Sequence, residues 1–210
     1  MDKYTVTVST FNKRAKQYQD KYMDFDFYLD TYDRFCELVP KVKAHILDIG
    51  CGPGNIAKYL LKKRADYRIH GIDLAPKMIE LAILNNPSAS FDVMDIRSII
   101  QLKNEYDAVI CGFCTPYLSK KDVEHLINNV RGLLKKSGIL YISTMEDIDA
   151  RSGYQTSSSG DKVYTHYHQG EHFKKLLEKN NFEVLEVTRK AFPSGAEIPT
   201  TDMFIYAKAM

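Results

Sequence analysis

Apolar residues recur along this chain with two different periods. Over residues 9–39, Phe11, Ala15, Tyr18 and Tyr22, then Tyr28, Tyr32 and Phe35, return at helical spacing. The pattern predicts two helices broken near residues 23–27, the first capped by Ser9 or Thr10. Aromatic stripes of this kind more often face a core than a ligand. From residue 45 the pattern changes, and short apolar runs alternate with helical segments. Ile46, Leu47 and Ile49 suit a buried parallel strand. Residues 55–63 follow as a helix burying Ile56, Tyr59 and Leu60. Strands are predicted over 67–73, 88–94 and 106–112, with a helix over 76–84. A helix over 122–134, capped by Ser119, leads through Gly138 at its C-cap region into a fifth strand. A helix over 171–180, built on Phe173, Leu176 and Leu177, separates that strand from two more, over 182–187 and 203–207. Alternating strands and helices predict an α/β fold with a mainly parallel sheet. Residues 145–168 stand apart: a polar stretch from Ser152 to Gly160 carries no core periodicity.

The 210 residues are enough for one domain with a substantial core, expected to span 1–210. Within it, residues 1–40 read as a helical segment, 41–145 as a ligand-binding core, and 146–210 as an acceptor-side insertion followed by the last helix and strands. A net charge of +2 gives no large basic footprint for nucleic acid. No apolar run of ~18 residues predicts a membrane span, and Met1-Asp2-Lys3-Tyr4 has no signal-peptide core. A cytoplasmic location is the resulting expectation. Cys36, Cys51, Cys111 and Cys114 are too few for a disulfide framework.

The densest chemistry lies at Asp48-Ile49-Gly50-Cys51-Gly52-Pro53-Gly54. A strand running into Gly-x-Gly-x-Gly before a helix predicts a tight loop where ligand and backbone approach closely. Pro53 fits a first helical turn. The free N–H groups at such a helix start attract anionic or polar ligand groups. A dinucleotide loop would carry a third glycine where Asn55 stands, and the Gly-Lys-Ser/Thr of a P-loop is absent. Asp73, ending the second strand, is placed either to accept ribose hydroxyls or to cap the helix after Pro76.

The loop resembles motif I of the class I S-adenosylmethionine-dependent methyltransferases, complete in every defined position from Asp48 to Gly54. The resemblance covers residues 44–145 well and both ends in outline. It implies a Rossmann-like three-layer αβα sandwich whose seven-stranded sheet has its final strand inserted antiparallel between the fifth and sixth. It implies S-adenosyl-L-methionine as cofactor, with Gly50, Cys51, Gly52 and Gly54 admitting it. Asp48 would support the loop or meet the amino acid part. Asp73 would hold the ribose, with Leu74 and Met78 beside it, and Asp95 with Ile96 the adenine. Gly112 and the residues to 117 would border the methionine half and the acceptor. The N-terminal helices would form a lid presenting Tyr18 and Tyr22. Asp107 matches the acid before the family's fourth strand and is expected to be structural. Lys136 and Ser137 depart from the family's Leu-Lys-Pro-Gly-Gly turn.

The implied activity is methyl transfer to a small-molecule acceptor by a monomer or homodimer, without nucleic acid or membrane partners. Such chemistry needs alignment more than dedicated side chains. If a base is needed, His166 and His168 are the candidates, because imidazole titrates near neutral pH. The His-Tyr-His alternation puts both rings on one side of an extended chain. No third ligand at zinc spacing accompanies them, so no metal is expected. His70 reads as a satisfied edge residue. Three alternatives stay open: a non-catalytic binder of the same cofactor, a thiol redox protein using Cys111-Gly112-Phe113-Cys114, and an NAD enzyme.

Overall fold

Burial of the apolar runs on both faces of one sheet sets the architecture. The computed structural model describes residues 2–157, 160–191 and 201–210. In chain order, two helices, α1 (Lys3–Tyr22) and α2 (Leu29–Leu38), precede β1 (His45–Ile49) and α3 (Asn55–Lys63). Next come β2 (Arg68–Asp73), α4 (Pro76–Asn85), β3 (Ser90–Val93), β4 (Tyr106–Gly112), α5 (Lys120–Leu133) and β5 (Leu134–Glu146). A hairpin of β6 (Gly153–Thr156) and β7 (Lys162–Thr165) leads to α6 (Gly170–Lys179), β8 (Phe182–Ala191) and β9 (Thr201–Ala209). The main sheet has seven strands in the order β3-β2-β1-β4-β5-β9-β8. Only β9 runs antiparallel to its neighbours, between β5 and β8, as the resemblance implied. Both faces of β1 are covered, so its residues 46–49 are all buried. On one face α5 and α6 pack through Val123, Leu126 and Phe173; on the other α2, α3 and α4 pack through Phe35, Leu60 and Ile79.

Several boundaries move for physical reasons. Helix α1 begins at Lys3, not residue 9, because Asp2 caps it and accepts from the Tyr4 and Thr5 N–H groups. The apolar stripe therefore starts at Tyr4 and Val8. Pro53 lies in the turn before α3, whose N-cap is Gly54. Gly138 is not a helix cap: α5 ends at Leu133, and Ser137, at φ +62°, makes the left-handed turn. A Cβ on Gly138 would stand 2.9 Å from the Lys135 carbonyl oxygen, so close backbone approach demands glycine there. Part of the polar stretch at 145–168 pairs as the β6–β7 hairpin, tied to α1 by the Tyr164 N–H donating to Thr7 Oγ1 at 3.0 Å. Among the described residues no helix is long and apolar enough to cross a membrane.

Asp107 is structural, as expected. It accepts from the His45 N–H at 2.9 Å and from Lys135 Nζ at 3.0 Å, and pairs with Lys41, tying the starts of β1, β4 and β5. Burial alone would raise its carboxyl, but Lys41, His45 and Lys135 together bring it down to about 2. We expect Asp107→Asn to cost about 1–3 kcal/mol in urea unfolding at pH 7. The cost should vanish as pH falls through the native carboxyl pKa, since both states are then protonated.

Candidate functional site

The loop after β1 is fixed from both sides. Gly50 and Cys51 N–H groups donate to the Ile72 carbonyl at 2.8 and 3.0 Å, fastening it to the end of β2. Gly50 and Gly54 take φ of +68° and +80°. A Cβ on Gly50 would stand 2.6 Å from the Cys114 Cβ, and one on Gly54 would run into the Asn86 amide. Asp73 is held by backbone donors from two sides. Its Oδ1 accepts from the Ala75 N–H at 2.8 Å, ahead of α4, and its Oδ2 accepts from the Gly52 N–H at 3.0 Å. It also lines a cavity. Burial pushes its carboxyl up, against the pull of those N–H groups.

Two cavities meet across this loop at the carboxyl ends of the strands, where open α/β sheets bind ligands. The first lies under α1. Thr7, Val8 and Phe11 line it opposite Asp73, Leu74, Met78, Asp95 and Ile96. The second runs from Cys51 and Asn55 past Tyr22 and Tyr28 to Met145 and Asp202. Both share Tyr18, Gly50, Gly52, Gly112, Phe113 and Tyr117. At the junction Phe113 takes φ +52°, a left-handed conformation that costs a bulky residue energy. Its N–H donates to Ser143 Oγ at 3.1 Å. Asp95 caps the 3-10 turn Ile96–Gln101 and binds the Arg97 guanidinium at 2.6 Å. Burial would raise its carboxyl, but Arg97 brings it below the ordinary value.

Asp48 is wholly buried behind the loop and lines neither cavity. Among the described residues neither of its carboxylate oxygens has a hydrogen-bond partner. Burial first, and the Asp73 charge second, push its carboxyl up to about 7. Gly54 likewise lines neither cavity; its role is packing against α4.

The structure does not bring His166 and His168 to the cavities. Their rings do lie on one side, 6.3 Å apart and 25° from parallel. His168 Nε2 donates to the Thr115 and Leu118 carbonyls, both at 3.1 Å, clamping the turn after β4. The His166 N–H donates to the Pro116 carbonyl at 2.6 Å. The chain after β7 is thus spent on holding residues 115–118 rather than reaching over the cavities. Burial, then the Lys3 charge, pushes His166 down to about 4; burial also lowers His168. The expectation of a general base at either position is corrected accordingly. The redox alternative also loses its footing. Cys111 and Cys114 are buried, and the Cys111 hydrogen bond followed by burial pushes the Cys114 thiol well up, opposite to a reactive thiol. His70 is satisfied by Tyr106 Oη at 2.8 Å and Asp92 at 2.9 Å. Among the described residues, no three His, Cys, Asp or Glu side chains could hold a metal ion.

Sequence reasoning missed Tyr4, Thr7 and Val8 in the first cavity, and Phe25, Tyr28 and Asp202 in the second. The α1 residues were findable by extending the apolar period toward the N-terminus. Asp202 carries no local signal beyond an acid opening an apolar strand.

Residues 46–138 match a family model described as a methyltransferase domain. The chain is similar to malonyl-[acyl-carrier protein] O-methyltransferase of Acetivibrio thermocellus, with 30% identity over 188 residues, 87% of this chain and 63% of that protein. It is also similar to trans-aconitate 2-methyltransferase of an Enterobacter species, with 33% identity over 109 residues, 51% of this chain and 41% of that protein. The chain therefore spans less than two thirds of these curated relatives. Among solved structures, magnesium protoporphyrin IX methyltransferase from Synechocystis with bound SAM superposes with a TM-score of 0.72 at 17% identity, over 100% of this chain and 98% of that one. A methyltransferase from Clostridium acetobutylicum gives 0.72 at 16% identity, over 95% and 98%. At these identities the likeness establishes the fold.

Two outcomes are expected. The folded Asp48 carboxyl sits above its ordinary unfolded value, so its charge costs nothing below about pH 4 and most above its native pKa of about 7. Asp48→Asn should therefore raise the melting temperature of ligand-free protein at pH 8 and barely change it at about pH 3.5. His168→Ala should cost about 1–3 kcal/mol in urea unfolding, by leaving two buried carbonyls without their donor.

Proposed function

The chain belongs to the class I S-adenosylmethionine-dependent methyltransferases, and on that premise we propose that it methylates a small-molecule acceptor with S-adenosylmethionine. The observation that carries this reading is the pair of cavities joined across a glycine-rich loop, with Asp73 beside one and an aromatic wall around the other. The residues present fit the cofactor. A Cβ at Gly50 would crowd the cradle, and the Asp73 carboxylate lines the first cavity. The buried, unpartnered Asp48 carboxylate behind the loop favours a cation in front of it.

In this reading Asp73 holds the ribose hydroxyls, Asp95 and the Ile96 backbone the adenine, and Leu74 and Met78 pack against the nucleoside. Gly50 and Gly52 receive the amino acid part. When bound, S-adenosylmethionine supplies an electrophilic methyl group on a sulfonium. The protein's own contribution is alignment: the shared walls at Tyr18, Gly112, Phe113 and Tyr117 set one cavity against the other. Holding two reactants in line contributes up to ~7–11 kcal/mol in well-oriented systems. Helix α1 contributes the apolar side chains of Val8 and Phe11 to the first cavity.

Isothermal titration tests the assignment. Wild-type protein should bind S-adenosylhomocysteine and give no heat with NAD. Asp73→Ala should weaken that binding by ~1–3 kcal/mol, since a charged acceptor of hydroxyl hydrogen bonds is lost. Asp73→Asn serves as control for the Gly52 and Ala75 N–H bonds, because its amide oxygen can still accept one of them. Unchanged affinity in both variants refutes the ribose role.

A further inference from the structure

The second cavity has an unusual wall for its size. Three aromatic side chains form a ladder along it: Tyr22 to Phe25 at 5.9 Å between ring centroids, and Phe25 to Tyr28 at 5.5 Å. Tyr28 then meets Phe113, at the junction of the cavities, at 5.0 Å. Beyond them Asp202, at the start of β9, is 2% exposed yet lines the cavity. Tyr28 Oη donates to its Oδ2 at 2.6 Å. Among the described residues no donor reaches Oδ1. No lysine, arginine or histidine is among the described residues lining this cavity. Lys190, opposite Asp202 in the β8–β9 ladder, is turned away to the Phe27 carbonyl at 2.9 Å and to Asp30.

A buried carboxylate needs a partner. Ring faces attract a cation and repel an anion. A carboxylate oxygen with no donor among the described residues, set among aromatic faces with no cation among the described lining residues, matches an ammonium group and mismatches a carboxylate or phosphate.

We propose that the second cavity selects an amine acceptor, bound as its ammonium by Asp202 and the rings of Phe25, Tyr28 and Phe113, and that nitrogen is the atom methylated. The inference rests on the methyltransferase reading and narrows its substrate class. The balance is simple. The ammonium gives one proton to Asp202 Oδ1, which frees the nitrogen lone pair. That pair forms the new bond to the methyl carbon, and the carbon–sulfur pair stays on sulfur. The product leaves as a substituted ammonium, and the Asp202 proton passes to solvent. Burial pushes the Asp202 carboxyl above its ordinary value, against the Tyr28 hydrogen bond, which eases its acceptance of that proton.

The test uses protein loaded with S-adenosylhomocysteine. Propylamine, phenethylamine and tryptamine are titrated against carboxylates of matching length. Methyl transfer from S-adenosylmethionine to each is then read by mass. The expected result is amine binding at least about tenfold tighter than the matched carboxylate, and methylation on nitrogen. Asp202→Asn should weaken amine binding by roughly tenfold or more while S-adenosylhomocysteine affinity and melting temperature hold. Tyr28→Phe keeps the ring and should lose less than Tyr28→Leu. A carboxylate preference, or no amine bound by the loaded protein, overturns the inference and leaves the methyltransferase reading standing. So does an Asp202→Asn loss that falls equally on S-adenosylhomocysteine, because Asp202 would then serve the cofactor's own ammonium. Wild-type protein that does not bind S-adenosylhomocysteine at all overturns both.

Discussion

Everything near the site depends on how the backbone between β1 and α3 is held. Two N–H groups are spent on the Ile72 carbonyl and a third on Asp73, so the loop is fastened to the end of the neighbouring strand. Its glycines are required on the protein side as much as on the ligand side: Cys114 and Asn86 occupy the space that side chains at Gly50 and Gly54 would fill. The same packing that makes the loop bare also makes it rigid. A glycine-rich loop fastened in this way suits a reaction that depends on alignment, in which misplacement by an ångström is costly.

Charge is distributed with a bias the composition hides. The chain is nearly neutral overall, yet Asp48, Asp73 and Asp202 lie at or behind the two cavities, all three pushed up by burial. No described lysine or histidine lines either cavity, and Arg97 is engaged with Asp95. The joined space is thus lined or backed by acids with no described lysine or histidine to offset them. Such a space favours ligands that bring positive charge with them. This one property connects the unpartnered Asp48, the aromatic ladder and the half-partnered Asp202.

The histidines show how a plausible chemical reading fails on placement. His166 and His168 have the geometry that alternation implied, with rings on one side, but that side faces the turn at 115–118. They support the wall that carries Tyr117 instead of entering the cavity. Helix α1 completes the same wall from the other direction, through Tyr4, whose ring lies under the Arg97 guanidinium, and through Phe11 against Tyr117 at 4.9 Å.

The order of elements outside the β6–β7 hairpin, the parallel core from β1 to β5, the bounds of α3 and β4, and the glycine loop before Asp73 were legible in the sequence. Each depends on residues adjacent in the chain: apolar period, glycine spacing, an acid closing a strand. Cys111, Cys114, His166 and His168 were legible as residue types but not as roles, because burial and partners decide whether a thiol or imidazole is reactive or structural. Asp202 was not legible at all. Only the insertion of β9 between β5 and β8 carries it from the far end of the chain to Tyr28, 174 positions away. The resemblance implied that insertion, but which side chains it brings together follows from register and packing, which no local pattern of residues encodes.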